Sequence, residues 1–138
     1  MRLGFIGTGK IASSVIEGIC NSKIRYKKII ISKRNNKISL RLKKKFKKII
    51  INKNNQYIID NSDWVFLSVT PSVGEKIIKN LSFKSKQTII SFISTITLSE
   101  LKKASFASII NSSSCSTDNF SASIKGLLFN FFIKFINY

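Results

Sequence analysis

The sequence predicts an α/β fold built around a doubly wound parallel sheet. Short apolar segments typical of strands alternate with longer segments that have the periodicity of amphipathic helices. A glycine-rich turn joins the first strand to the first helix, and residues 64–69 are apolar almost throughout, as in a strand buried on both faces. Right-handed crossovers between these units predict the strand order 3-2-1-4-5.

Each strand is predicted from a short apolar or β-branched segment bounded by polar residues. The five predicted strands are residues 2–6, 28–32, 49–51, 64–69 and 88–93. In the first helix, Ile11, Val15 and Ile19 recur every four residues, with Ala12 and Ile16 beside them, which predicts one apolar face.

The later helices are predicted in the same way. Ile38, Leu42 and Phe46 indicate a helix over about 36–46, and a short helix or turn is expected at 55–61. Pro71 suits the first turn of the next helix, which is expected to present Val73, Ile77 and Leu81 on one face. A last helix is predicted to begin within residues 98–103.

The turn after the first strand has the form Gly-x-Gly-x-x-Ala over residues 7–12. Gly7 allows the tight turn, Gly9 lets a pyrophosphate approach the backbone, and Ala12 lets the helix pack closely on the sheet. A simple glycine turn in an α/β protein is the alternative. The strand before it and the amphipathic helix after it favour a Rossmann-like dinucleotide site at the helix N-terminus.

The chain has 138 residues and a formal net charge of +18. Much of the charge lies within residues 37–48, where the lysines would form the solvated side of the predicted helix. Nucleic acid is therefore not the expected partner, and a basic nucleic-acid-binding protein is the weaker alternative. No segment is apolar enough to span a bilayer, and the start of the chain lacks a signal-peptide pattern, so a cytoplasmic protein is expected.

The absence of histidine excludes histidine bases and most zinc sites, and the two cysteines have no metal-binding spacing, so no metal is expected. The six acidic residues are scattered and form no obvious pair in the sequence. No catalytic residue is therefore assigned.

The residues after the second predicted strand bear on the choice of cofactor. An NAD-binding domain usually carries an acid there to hold the ribose 2′-hydroxyl, whereas this chain has Ser32, Lys33, Arg34 and Asn35. A serine and two cations suit a 2′-phosphate, which favours NADP(H) over NAD(H). The alternative is that Lys33 and Arg34 are two more cations of a basic chain.

Four segments together resemble the N-terminal domain of pyrroline-5-carboxylate reductase: residues 4–19, 31–35, 54–71 and 89–103. The resemblance implies NADPH-dependent reduction of 1-pyrroline-5-carboxylate, a small imino acid, to L-proline in proline biosynthesis. It assigns residues 6–11 to the pyrophosphate, Ser32, Arg34 and Asn55 to the adenosine side, and the loops after the fourth and fifth strands to the nicotinamide. The cofactor-binding residues expected on these grounds are Ile6, Gly7, Thr8, Gly9, Lys10, Ile11, Ala12, Ser32, Lys33, Arg34, Asn55, Ser68, Val69, Thr70, Pro71, Ser94 and Thr95.

The chain also departs from that family. Thr70 stands where the family usually has lysine, and Ser94-Thr95 where it usually has Ala-Gly. The family continues with a helical domain that makes the homo-oligomer and holds much of the substrate site, and that domain is missing from the resemblance. Residues 1–103 are therefore expected to form the NADP-binding domain and residues 104–138 a divergent tail, disordered or frameshifted. A non-catalytic NADP-binding remnant or module is the alternative function.

Overall fold

The computed structural model describes residues 1–84 and 86–93. Five strands and four helices alternate along this part of the chain. The strands are β1 (Arg2–Ile6), β2 (Lys28–Ser32), β3 (Ile49–Asn52), β4 (Trp64–Leu67) and β5 (Thr88–Ser91). The helices are α1 (Lys10–Asn21), α2 (Asn36–Lys45), α3 (Asn55–Asp60) and α4 (Pro71–Ile78).

The strands form one parallel sheet in the order β3-β2-β1-β4-β5, which confirms the predicted fold class and strand order. The order changes direction at β1, because the chain first builds outward through β2 and β3 and then continues on the other side with β4. In open α/β sheets, ligands bind beyond the carboxyl ends of the strands at such a switch point. The carboxyl end of β1 is Ile6, immediately before Gly7.

Helices cover both faces of the sheet, and each face has its own apolar core. Leu3 and Phe5 face one core, which contains the buried residues of α1 and Leu42 of α2. Ile6 and Ile30 belong to the other core, which contains Ile58 and Ile59 of α3 and Ile78 of α4. Because side chains alternate along a strand, the continuous apolar runs fill both cores.

Asparagine side chains cap the N-termini of α2 and α3. The Asn35 side chain accepts the Ile38 N–H at 3.2 Å at the start of α2. Asn54 accepts the Gln56 and Tyr57 N–H groups at 2.9 and 3.3 Å at the start of α3. These caps satisfy N–H groups that have no partner within their own helix, and they hold the loops before α2 and α3 in place.

Several details differ from the sequence-based expectation. Ile11 is 58% exposed, so it does not belong to the buried face of α1. Leu81 is buried but lies beyond the end of α4, and β4 and β5 end earlier than predicted, at Leu67 and Ser91. The helix predicted within 98–103 and the tail at 104–138 lie outside the described residues.

Candidate functional site

A cavity of about 380 Å³ opens at the carboxyl edge of the sheet. It lies at the switch point, where β1 and β2 end and the loop after β4 begins. The residues that line it are Ile6, Gly7, Ser32, Lys33, Arg34, Lys53, Asn55, Val69 and Ile77. One side of the cavity is therefore apolar, and the other carries three cations and two neutral polar residues.

Gly7 has a φ of +99°, in the region that side-chain-bearing residues rarely adopt. A Cβ atom at this position would overlap the Ser68 carbonyl group and lie 2.8 Å from Val69 Cγ1. The turn therefore needs glycine for both its conformation and the close approach of the β4 loop. This confirms the role that the sequence predicts for Gly7.

Gly9 is a glycine for a different reason. Its φ of −83° is accessible to any residue, and among the described residues nothing lies within 4 Å of a Cβ built on it. Gly9 caps α1, whose first hydrogen bond runs from the Ser13 N–H to the Gly9 carbonyl at 3.0 Å. The N–H groups of residues 10–12 precede that bond and have no partner within the helix, so they form an anion-binding end next to open space.

Hydrogen bonds join the glycine turn to the end of β2. The Ser32 hydroxyl accepts the Gly7 N–H at 2.9 Å, and the Thr8 hydroxyl donates to the Ser32 carbonyl at 3.1 Å. Thr8 Oγ1 also accepts the Asn35 N–H at 3.2 Å. Ser32 and Thr8 are both buried, and the accepting Ser32 hydroxyl keeps its own proton for donation to a ligand. These bonds hold the turn and the Ser32–Asn35 loop in one arrangement.

The loop after β4 is tied to the same turn. The Ser68 hydroxyl donates to the Gly7 carbonyl at 2.9 Å, and the Ser68 N–H donates to the Ile6 carbonyl at 2.9 Å. Val69 lines the cavity, whereas Thr70 and Pro71 are exposed and form the N-cap and first residue of α4. Of the predicted nicotinamide-side residues in this loop, Val69 is the one that contacts the cavity directly.

The cavity lining carries a positive charge. Lys33, Arg34 and Lys53 line it, and no carboxylate from residues 1–84 or 86–93 does. The cations that form ion pairs within the described residues are elsewhere: Arg2 with Asp63, Arg41 and Lys45 with Glu17, and Lys84 with Asp60. The cavity therefore suits a ligand that carries several negative charges.

Two of the acids in these ion pairs, Asp63 and Glu17, are held in their charged form away from the cavity. Hydrogen bonds from the side chain and backbone N–H of Arg2 lower the pKa of Asp63. A hydrogen bond from Lys45 lowers the pKa of Glu17, with a further contribution from the charge of Arg41. Both acids have structural partners, so neither is a candidate proton donor for the cavity.

The structure brings part of the predicted cofactor site together in one cavity. Seven of the predicted residues line it: Ile6, Gly7, Ser32, Lys33, Arg34, Asn55 and Val69. Gly9, Lys10 and Ile11 are exposed on the adjacent turn, and Ala12 is fully buried in the packing role expected of it. Ser94 and Thr95 lie outside the described residues.

Lys53 and Ile77 line the cavity but were not predicted. Ile77 was assigned to the apolar face of α4, where periodicity does not distinguish packing from contact with a ligand. Lys53 directly follows β3, so the rule that ligands bind beyond the carboxyl ends of strands could have identified it. The polar sequence around Lys53 obscured that signal.

The described part of the chain contains neither a metal site nor a membrane-spanning helix. Within residues 1–84 and 86–93, no group of three histidine, cysteine or acidic residues is placed to hold a metal ion. No helix in the same residues is long and apolar enough to cross a membrane.

A nicotinamide dinucleotide fits the site on structural grounds. The open space at Gly9 and the adjacent N–H groups suit a pyrophosphate, and the cations beyond Ser32 suit a further phosphate. The fold and the site together define a dinucleotide-binding domain of the Rossmann type. The family model for NADP oxidoreductase coenzyme F420-dependent proteins matches residues 2–95, and the chain belongs to this family.

Solved structures give the same fold. The chain is similar to 1-pyrroline-5-carboxylate reductase from the human pathogen Streptococcus pyogenes, with 32% identity and a TM-score of 0.62 over 76% of this chain and 38% of that one. It is similar in fold to Plasmodium falciparum pyrroline carboxylate reductase with NADP bound, at 21% identity and a TM-score of 0.61, over 75% and 37% of the two chains. A diketoreductase that acts on dicarbonyl compounds gives 14% identity and a TM-score of 0.58, over 75% and 45%.

The chain thus spans less than half the length of each of these three proteins. A comparison with curated proteins gives no significant match.

Proposed function

We propose that this chain binds NADP(H) in preference to NAD(H), as the cofactor-binding part of an oxidoreductase that reduces 1-pyrroline-5-carboxylate to L-proline. The observation that carries the proposal is the cavity wall beyond β2, which Lys33 and Arg34 line with no carboxylate of the described residues beside them. An acid at this position would hold the 2′-hydroxyl of NAD and repel the 2′-phosphate of NADP.

The residues of this chain bind and orient the cofactor. The α1 N-terminus and the turn at Gly7 and Gly9 would hold the pyrophosphate, and Ser32 and Arg34 the adenosine phosphate. Asn55, which also lines the cavity, would contact the adenosine side of the cofactor, and Val69 the nicotinamide end. When bound, NADPH supplies the hydride, and correct placement against the imine carbon supplies much of the rate enhancement.

The choice of substrate rests on similarity. The 32% identity to the Streptococcus pyogenes reductase, together with the resemblance of four separate segments, supports an imino-acid substrate over a dicarbonyl compound. A role in proline biosynthesis and a cytoplasmic location follow from the same proposal. No residue is assigned to proton transfer, because no carboxylate or thiol of the described residues lines the cavity.

The first test is a titration of the full chain with NADPH and, separately, with NADH at moderate salt. We expect saturable NADPH binding and weaker NADH binding. Arg34→Gln should weaken NADPH binding by about tenfold through loss of a charge-assisted contact and leave NADH binding nearly unchanged. Lys47→Gln is the matched control, because Lys47 is exposed before β3 at the opposite edge of the sheet.

Turnover is measured next, as oxidation of NADPH that depends on added 1-pyrroline-5-carboxylate. Oxidation with formation of L-proline supports the full proposal. Selective NADPH binding without turnover would instead identify a cofactor-binding module. Equal affinity for NADPH and NADH, unaffected by Arg34→Gln, would contradict the proposed preference.

A further inference from the structure

We infer that Lys53 determines cofactor specificity as a third cation for the 2′-phosphate, facing Lys33 and Arg34 from the neighbouring loop. The inference rests on the proposed function and adds a residue that the sequence did not predict. Lys53 lines the same cavity as Lys33 and Arg34, although it comes from the loop between β3 and α3.

The sheet register brings the two loops together. Ser32 and Asn52 are paired partners at the ends of β2 and β3, so Lys33 and Lys53 each follow a paired residue directly. The Lys33 N–H also donates to the Asn52 carbonyl at 3.1 Å. The two lysines therefore leave the sheet side by side at the same edge, and their relative backbone position is set by strand pairing.

The loop that carries Lys53 is held on both sides. The Asn52 side chain accepts the Asn54 N–H at 2.8 Å and so closes a local turn around Lys53. Asn54 in turn caps α3 through the Gln56 and Tyr57 N–H groups. The backbone of Lys53 is thus anchored, and only its side chain must be ordered by a ligand, which lowers the entropic cost of binding.

The position of Lys53 favours the 2′-phosphate over the pyrophosphate. The pyrophosphate belongs at the turn after β1, whereas Lys53 follows β3, which is two strands away. Parallel strands lie about 4.8 Å apart, so the ends of β1 and β3 are separated by about 10 Å. The loop that begins at Ser32 lies between them and is the expected location of the adenosine ribose.

Charge provides the second reason. Three cations line this cavity, and no carboxylate in the described part of the chain lines it with them, whereas Arg41 and Lys45 on α2 share Glu17. Like charges held close together repel, and a doubly charged phosphate between them would remove that repulsion. Asn55, the next cavity-lining residue along the chain, adds a neutral hydrogen-bonding group on the same side.

The test compares Lys53→Met, Lys53→Arg and Lys47→Met in the full chain, with circular dichroism to verify the fold of each. Lys53→Met should raise the Kd for NADPH by about three- to tenfold, as expected for one partly solvated charge contact, and change the Kd for NADH by less than about twofold. Lys53→Arg should retain NADPH binding. Lys47→Met removes the same charge at the opposite edge and should change neither Kd.

Competition with smaller ligands locates the contact. Lys53→Met should weaken binding of 2′,5′-ADP, which carries the 2′-phosphate, and leave binding of ADP nearly unchanged. Equal weakening of NADPH and NADH would assign Lys53 to another part of the cofactor, and no change in either would remove it from the site. Both results overturn the inference while leaving the proposed function intact, whereas a wild-type chain that binds neither cofactor overturns both.

Discussion

The two edges of the sheet differ in how their charged residues are paired. At the amino edge, Arg2, the first residue of β1, forms an ion pair with Asp63, which precedes β4, and the Asp63 carbonyl accepts the Thr88 N–H at 3.1 Å. At the carboxyl edge, Lys33, Arg34 and Lys53 line the cavity, no acid of the described residues lines it with them, and the N-terminus of α1 ends in open space at Gly9. The Arg2–Asp63 pair is therefore neutralised within the protein, whereas the three cations of the cavity suit an anionic ligand.

This difference distinguishes charges that are paired within the protein from cations that line a candidate binding site, in a chain with a net charge of +18. Total charge alone suggests a polyanion partner. The arrangement of the ion pairs instead identifies one small cavity where cations from two loops converge. We therefore expect substitutions at the amino edge to change the stability of the fold alone. At the carboxyl edge, we expect some substitutions to change the stability of the glycine turn and others to change cofactor affinity.

The largest effect is expected for Gly7→Ala. The new Cβ would require an unfavourable φ and would overlap the Ser68 carbonyl, so the free energy of unfolding should fall by about 3 kcal/mol. Urea unfolding followed by circular dichroism measures this loss. Gly9→Ala in the same turn is the control and should stay within about 1 kcal/mol of the wild type. Equal stability of the two variants would contradict the distinct roles of the two glycines.

Gly9→Val should weaken cofactor binding without unfolding the chain. Its side chain would enter the space left open beside the α1 N-terminus, so NADPH and NADH should both bind about 10- to 100-fold more weakly. Isothermal titration measures both affinities. Unchanged affinity for both cofactors would show that this space is not used by the pyrophosphate.

Ser32→Ala tests the bond that joins the turn to β2. The buried Gly7 N–H would lose its acceptor, at a cost of about 1 to 2 kcal/mol in the free energy of unfolding. Ser14→Ala is the control, because the exposed Ser14 hydroxyl donates only within its own helix, to the Lys10 carbonyl. A loss in Ser32→Ala no greater than in Ser14→Ala would mean that the bond contributes little.

The smallest effect is expected at the amino edge, for Asp63→Asn. The Arg2 and Asp63 side chains are 43% and 39% exposed, so solvent screening limits the loss to about 0.5 to 1 kcal/mol at pH 7. Because folding lowers the pKa of Asp63, its stabilisation is present above the unfolded-state pKa and is lost as the pH falls through the lower folded-state pKa.

Urea unfolding at several pH values measures this difference between wild type and Asp63→Asn, which should shrink on acidification below about pH 4. A difference that is constant from pH 7 to pH 3, or any change in NADPH affinity, would contradict the purely structural role given to the amino edge.

Most of the fold could be predicted because its signals are local. Continuous apolar runs identified the strands, and handedness determined their order. Ile11 was wrongly placed on the buried face of α1: it lies in the first turn of the helix and is exposed, whereas Val15 and Ile19 on the same spacing are buried. Leu81 has the helical spacing but packs from the loop after α4, since an apolar residue can reach the core without continuing the helix.

The alternation of strands and helices, the glycine turn and the absence of an acid after β2 could be predicted from the sequence, because each depends on residues close together in the chain. Three features became visible in the tertiary structure: Lys53 lines the same cavity as Lys33 and Arg34, the Ser32 hydroxyl accepts the Gly7 N–H, and the Ser68 hydroxyl donates to the Gly7 carbonyl. These contacts join residues about 20 to 60 positions apart, and strand register sets them. Hydrophobic pattern specifies that register, but the polar neighbours it brings together are visible only once the sheet is assembled.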